Sequence, residues 1–505
     1  MAVTHDRRDP APETRTLAIS VALLVVLTLA VFLPSLGYEF VNYDDPIMIA
    51  NNPHVANGVS IDGLRWAFTT FYGANWFPLT WISWMLGASL FGLDARAFHA
   101  TGVLLHACTA ALLFLTLVRA TGKVAPSAFV AAVFAVHPLH VESVVWISAL
   151  KDTLSGLFFA LALLVHCGGR GATPTPQRRA ALFGCVLASL MAKPTAVVLP
   201  FALVLLDAWP LGRLGGSGSK TTRALEPRAL LRSFAEKVEL FVLVAVASGI
   251  FFAAQQHAGV VVPLERLGLG SRIANALVAY AAYLGKAFWP SSLAVLYPHP
   301  GDSLPLWQPA LAGVLLLAVS VAALSAWRRA PAVLVGWLWF LGMLVPTIGI
   351  VQVGSQAMAD RYMYLPLVGL AVALAFGLPA LSPRATHATG GRLAIAAAAV
   401  AVVGLATTAA VQTAVWRNSI TLFEHTLDVT KDNPIAHAHL GAALLARGRV
   451  EETVTHYTES IRLSPNDADV ANNFAWLLAT YDDVEIRNPY LAVRLAERAV
   501  ARTQR

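Results

Sequence analysis

Val21-Ala-Leu-Leu-Val-Val-Leu-Thr-Leu-Ala-Val-Phe-Leu-Pro-Ser-Leu36 is an almost unbroken apolar run, and soon after it comes Phe40-Val-Asn-Tyr-Asp-Asp-Pro46. Counted from Leu17, the run has the length at which a helix crosses a bilayer, about 20 residues. Asp44 and Asp45 then stand side by side. Adjacent carboxylates repel each other, and charge this close to a bilayer is costly unless it faces water, a cation or a substrate. Taken alone, the pair reads as a solvated turn, since Asp-Asp-Pro is good turn chemistry. The other reading is a general base or a divalent-metal ligand at the membrane surface. The rest of the chain moves the balance toward the second.

Of 505 residues, 57% are hydrophobic and only 13% charged, where soluble domains carry about 25% charged residues. Apolar runs recur along most of the sequence, so the expected fold is all-α, a polytopic helical membrane protein. The net charge of +7 is no nucleic-acid signature, because the basic residues sit in short loops between spans, as the positive-inside rule expects. Cys108, Cys167 and Cys185 lie in apolar stretches without paired spacing and read as buried thiols. Arg7, Arg8 and Arg15 precede the first run, which reads as an uncleaved anchor entering from the cytoplasm.

Residues 1–16 are thus a cytoplasmic N-terminus, 17–416 a transmembrane domain with a first external loop at 37–97, and 417–505 a polar helical module. In the loop, Ile61–Tyr72 and the tryptophan-rich Pro78–Leu93 read as helices lying in the interface. Ala180–Ala192 and Thr195–Leu206 read as a hairpin broken at Lys193-Pro194. Gly212–Lys237 reads as a cytoplasmic loop, and Ile273–Trp289 as re-entrant or interfacial. The total is about eleven spans and an external C-terminus. Pro434, Leu440, Gly441, Leu444, Tyr457 and Pro465 fall at tetratricopeptide-repeat spacing, and Ala468 opens a second unit. Thr453 and Ser460 stand where that repeat usually has alanine. Two such units rarely stand alone, so the module is expected to lean on the membrane part or on a protein partner.

His137, His140, Glu142, Lys151 and Asp152 cluster at the outer ends of two consecutive spans. Such a set can bind metal, relay protons or hold substrate; the alternative is a capped polar rim. Lys193 suits phosphate as a point charge, or snorkels to the interface. Arg361, followed by Tyr362, can hold a phosphate bidentately or merely set topology. All of these map to one side of the membrane.

Asn42-Tyr-Asp-Asp45 with Asn52-Pro-His-Val55 resembles the first external loop of the transmembrane and tetratricopeptide repeat-containing proteins. Phe77-Pro-Leu-Thr80, Phe98-His99 with Leu105-His106, His137-Pro-Leu-His-Val-Glu142, Lys193 and Arg361-Tyr-Met-Tyr-Leu-Pro366 extend the likeness in order, through to the repeats. The family belongs to the GT-C glycosyltransferases, which take a sugar from a polyprenyl-phosphate carrier; its eukaryotic members are associated with protein O-mannosylation. The resemblance implies that Asp44 or Asp45 sits at the active centre. It also implies a polyprenyl-phosphate sugar donor and a protein or glycan acceptor. This chain has fewer repeats than the eukaryotic members, which leaves the acceptor open. Its alanine- and glycine-rich composition points to a bacterial plasma membrane, with the repeats on the external side.

A carboxylate is needed to take the acceptor proton, Asp44 or Asp45. Cations are needed for the departing phosphate: Lys193, Arg361 or a divalent ion such as Mg or Mn. Tyr362, His137, His140 and Lys151 are then candidates to bind substrate. Asp45, Glu142 and Asp152 are the candidate metal ligands. Two competing readings are a non-catalytic membrane-anchored repeat scaffold and a transporter of lipid-linked sugars.

Overall fold

The structure is a computed structural model describing residues 13–168, 175–214, 226–381 and 388–503. Arg7 and Arg8, which precede the first apolar run, lie outside the described residues, as does 215–225 of the expected cytoplasmic loop.

The first part of the chain forms α1 Thr14–Phe32, α2 Pro53–Ala56, α3 Ile61–Thr69, α4 Pro78–Phe91, α5 Ala95–Thr121, α6 Val124–Val136 and α7 Val141–Val145. There follow α8 Leu150–Cys167, α9 Pro176–Ala192, α10 Leu199–Ala208, α11 Pro227–Ala235, α12 Val238–His257 and α13 Leu269–Phe288. The membrane part ends with α14 Trp307–Ser325, α15 Pro331–Leu344, α16 Pro366–Val372, α17 Leu378–Leu381 and α18 Ala388–Val415. Strand β1, Tyr297–Pro298, pairs antiparallel with β2, Gln356–Met358. The last module is α19 Ser419–Val429, α20 Pro434–Leu445, α21 Val450–Leu463, α22 Ala468–Thr480 and α23 Pro489–Thr503.

Six of the described helices are long and apolar enough to cross a membrane, and a seventh span counts if α6 and α7, bent by 53°, are taken as one. The apolar segments Pro194–Ala208, Pro331–Leu344 and Pro366–Leu381 are shorter. Length and composition alone therefore reach fewer than the eleven spans expected. Counting the shorter segments α9, α10, α15 and α16–α17 as passages as well would bring the number to eleven. The short ones are enclosed by neighbours, so they need not match lipid thickness by themselves. The long ones show lipid-facing stripes: Ile19, Leu23 and Val26 on α1, and Leu311, Val314 and Leu317 on α14, are each at least half exposed. Such stripes are expensive in water and natural in hydrocarbon.

Local rules account for the breaks. Lys193 precedes Pro194, and steric conflict with the proline ring keeps it extended, at φ −152° and ψ 134°, between α9 and the following turn. Where α15 crosses α16, a Cβ on Gly336 would lie 2.2 Å from the Gly369 carbonyl oxygen, so only glycine allows this approach. Helix α13 is a single unbroken helix. Three of its polar contacts go to the segment after α15: Arg272 to Ile350 O, Asn275 to Ala357 O and Tyr283 to Ala359 O. The expected loop 212–237 contains α11, started by Pro227, whose fixed φ suits a first helical turn.

In the last module, α20–α21 and α22–α23 are two hairpins whose first helices begin at Pro434 and Ala468, 34 residues apart (468 − 434). The Tyr457 ring packs on Gly441, where a Cβ would come within 2.8 Å of it. The two atypical polar residues are buried and satisfied: Thr453 Oγ1 donates to Gly441 O and Ser460 Oγ to Pro434 O. The module does lean on the membrane part. Glu39 N donates to Arg417 O, His425 Nε2 meets Leu293 O and Asn433 Nδ2 meets Leu296 O.

Candidate active site

The two aspartates have opposite fates. Asp45 is buried. Its Oδ2 accepts from Val41 N at 3.0 Å, and its Oδ1 accepts from both the backbone N, at 3.0 Å, and the hydroxyl of Ser148. Ser148 belongs to the 3-10 turn Ile147–Ala149 that leads into α8, so Asp45 caps the approach to that helix, where a negative charge is favoured. Burial pushes its carboxyl up to about 6, against the pull of these hydrogen bonds. Asp44 is half-buried, and its carboxylate makes no hydrogen bond or ion pair among the described residues. One side chain of the pair is consumed by the fold; the other is left with free lone pairs.

Three cations stand nearby, each at a helix end. Lys151 opens α8, Lys193 fills the break after α9, and Arg361 precedes α16. Lys193 is paired with Asp152. Arg361 is paired with Glu142, whose second oxygen also accepts from the Arg361 backbone N at 2.8 Å. Lys151 has no ion pair or hydrogen bond among the described residues. Its ammonium lies 5.7 Å from the Trp146 ring centroid and 6.0 Å from that of Phe77. The Arg361 guanidinium lies 5.4 Å from the same Trp146 ring. An aromatic face attracts cations by about 0.5–2 kcal/mol each, so Trp146 gathers two like charges that would otherwise separate. Of the charges acting on Lys151, Asp44 acts most strongly.

These cations open onto a cavity of about 490 Å³. Lys151, Lys193, Arg361, Tyr362 and Gln356 form its polar wall, and Phe251, Phe252, Val197 and Val351 its apolar wall. Among the described residues no carboxylate lines it. Tyr362 sits between Lys193, 6.0 Å from its ring centroid, and Arg361, 5.1 Å from it, while its hydroxyl accepts from Gln356 Nε2. A cavity with cations on one wall and aliphatic and aromatic carbon on the other matches an anion attached to a hydrocarbon chain.

The structure brings Lys151, Lys193, Arg361 and Tyr362 together around this cavity, with Asp44 acting on Lys151. It does not bring His137 and His140 there. His137 Nε2 meets Ala287 O at 3.0 Å, and its Nδ1 accepts from Leu139 N. His140 Nδ1 meets Phe134 O at 2.7 Å and its Nε2 faces Met363 O. Both rings are fully buried and pinned by carbonyls, so their expected substrate contact is corrected to a bracing role. The candidate metal ligands are not gathered into one site: Asp45, Glu142 and Asp152 are engaged by Ser148, Arg361 and Lys193 in turn, and no group of three or more His, Cys, Asp or Glu among the described residues is placed to hold an ion. Sequence reading missed Trp146 as the shared aromatic face. A tryptophan just ahead of the charged Lys151-Asp152 pair was the available signal. Its indole nitrogen is buried without a partner, as is Asp152 Oδ2.

No family model matches the chain. It is 25% identical over 500 residues to "Protein O-mannosyl-transferase TMTC1" of Homo sapiens, covering 90% of this chain and 56% of that protein. It is 23% identical over 502 residues to "Protein O-mannosyl-transferase TMTC4" of Homo sapiens, covering 86% and 65%. Over 164 residues it is 33% identical to "Protein O-mannosyl-transferase tmtc2" of Xenopus laevis, covering 30% and 19%. The chain spans about half the length of the curated relatives it matches. Among solved structures, ArnT from Cupriavidus metallidurans in the apo state aligns over 97% of this chain and 89% of that one, at 18% identity and a TM-score of 0.37.

Proposed function

We propose that this chain is a membrane glycosyltransferase of GT-C type that moves a sugar, mannose by analogy with its relatives' names, from a polyprenyl-phosphate carrier to an acceptor hydroxyl. The observation that carries the reading is Lys151, unpaired among the described residues, on a three-cation cavity with apolar walls, with the free Asp44 carboxylate on the turn whose Tyr43 packs against Trp146. The polyprenyl chain lies along Phe251, Phe252 and Val351, and the phosphate meets Lys151, Lys193 and Arg361. Asp44 takes the proton of the acceptor hydroxyl as its oxygen attacks the anomeric carbon. The bond from that carbon to the phosphate oxygen breaks, and the electron pair leaves with the lipid phosphate. Charge neutralisation on the leaving group falls to the three cations. Glu142 and Asp152 hold Arg361 and Lys193 in place, because an unpaired buried cation would otherwise turn toward water.

The site end is the extracytoplasmic face of, on composition, a bacterial plasma membrane, with the repeats beside it and a protein or glycan acceptor reaching it from there. Arg119, Lys123, Arg178, Arg179, Arg328 and Arg329 all lie at the opposite helix ends, the cytoplasmic side under the positive-inside rule. A cysteine at Ser464 should label in intact cells; labelling only after permeabilisation would reverse this orientation.

The test of activity uses a short-chain polyprenyl-phosphate mannose and a pool of threonine-containing peptides. Wild type should release polyprenyl phosphate, and Asp44→Asn should lose about 10²–10⁴-fold in turnover while binding donor normally. Equal turnover by both would remove the catalytic reading in favour of a scaffold.

A further inference from the structure

The first helices of the repeat module touch the same turn that carries Asp44. Asn42 N donates to Ser419 Oγ at 2.9 Å, and Asn42 Nδ2 donates to His439 O at 2.9 Å. The next residue, Tyr43, meets the His439 ring edge-on at 5.2 Å and the Phe423 ring at 6.3 Å. Phe423 and His439 stack on each other at 5.0 Å with an interplanar angle of 11°. On its far side Tyr43 packs against Trp146, 5.4 Å away, the ring that gathers Lys151 and Arg361. Residue 45 is fixed instead to the membrane part, through Ser148. The Asp44 backbone is therefore bolted on one side to the repeats and on the other to α8.

We propose that His439, stacked on Phe423, is a positioning residue for Asp44, so that the repeat module sets the geometry of the transferase site as well as facing an acceptor. The proposal rests on the reading of Asp44 as the base. Ring packing is the operative contact: the imidazole face stacks on Phe423 and the ring meets Tyr43 edge-on, with the Asn42 backbone also lying against it. An aromatic contact of this kind adds to what area burial supplies, enough to fix one turn conformation among a few without being essential to folding. The exposed pair Arg447–Glu39 joins the same two bodies outside the turn. It serves as a control for tethering without positioning.

The experiment uses the full chain with four variants: His439→Ala, His439→Phe, Arg447→Ala and Asp44→Asn. Two readouts are taken: steady-state transfer from the short-chain polyprenyl-phosphate mannose to the peptide pool, and amide hydrogen exchange of residues 41–48. His439→Ala should lower kcat about tenfold or more at unchanged donor KM and speed exchange in 41–48 by a similar factor. His439→Phe should restore both, and Arg447→Ala should match wild type. Wild-type kcat and exchange in His439→Ala would overturn the proposal. So would a loss in His439→Ala that His439→Phe does not rescue and that spreads over the whole repeat module, the mark of a merely structural residue. Asp44→Asn separates the two claims. If it turns over normally, or if wild type does not use the donor, the functional reading fails and exchange alone judges the clamp. If it is inactive while His439→Ala is normal, only the clamp fails.

Discussion

Helix α8 joins two buried ionic clusters, one at Lys151–Asp152 and one at His166, about 22 Å apart at 1.5 Å per residue, and they are built on opposite plans. At its far end Asp207 receives His166 Nε2 and Arg213 Nη1 on one oxygen, and Ser233 Oγ and Lys237 Nζ on the other. Every lone pair that matters has a donor, and the carboxylate ties together α8, α10, α11 and the start of α12. At its near end the acids do not saturate the cations. Among the described residues Lys151 and the Asp44 carboxylate are unpaired, Asp152 Oδ2 and Trp146 Nε1 are buried without partners, and Lys151 faces a cavity. Burying charge is costly in both places. In the first, the partners all come from within the chain. In the second, part of the compensation has been left for something that enters.

The contrast can be broken in four ways. The largest effect on stability is expected at the saturated end. Lys237→Met leaves Asp207 buried with one strong donor fewer and should cost about 3–5 kcal/mol of stability, read as a fall in the thermal midpoint, with donor affinity intact in the folded fraction. Loss of donor affinity without loss of stability would merge the two clusters into one functional unit.

Asp45→Asn comes next. An amide places hydrogens against Val41 N or Ser148 N, so a cost of about 1–3 kcal/mol follows. The contrast with Asp44→Asn, which should cost turnover and little stability, is the sharper result. The same residue gives a pH signature. Its folded value, about 6, lies above the unfolded one, about 3.9. The native state therefore holds this proton more tightly, and the group's contribution falls as pH rises from about 4 to about 6. Stability of Asp45→Asn should be flatter than wild type over that window. The same sign over a wider window, from about pH 4 to about 7, is expected of Asp360, which burial raises to about 7 and which accepts from the Tyr297 hydroxyl at 3.0 Å.

The smallest effect is expected at the exposed Arg447–Glu39 pair, where Glu39→Ala should change stability by about 0–1 kcal/mol. A larger loss would mean that the repeats are held chiefly by this bridge and not by the aromatic contacts.

The near cluster was more legible in the sequence than its roles were. Lys193 was readable because Pro194 breaks a helix by a purely local rule, and an ammonium at a helix break has somewhere to turn. Arg361 and Lys151 were readable because charge at a span end is rare. The division of labour between Asp44 and Asp45 was not, since it depends on Ser148, 103 residues away. His137 and His140 misled for a related reason. Their spacing places them beside Glu142, but the carbonyls that bind them come from Ala287 and Met363, which sequence neighbours do not reveal. The long spans were legible as apolar runs, six in all or seven with the bent pair among the described residues; the shorter ones carry no full apolar span. The Asp207 cluster passed unnoticed, because all four of its partners reach it from other helices or turns.

The central claim is that the near cluster, and not the far one, is built to receive a lipid-borne anion. It is tested most directly by binding a short-chain polyprenyl phosphate, without sugar, to purified wild type, Lys151→Met and Lys237→Met. Lys151→Met should bind about tenfold more weakly or worse, since a charge-assisted contact is lost, and Lys237→Met should bind like wild type. Equal affinity in Lys151→Met and wild type would contradict the account.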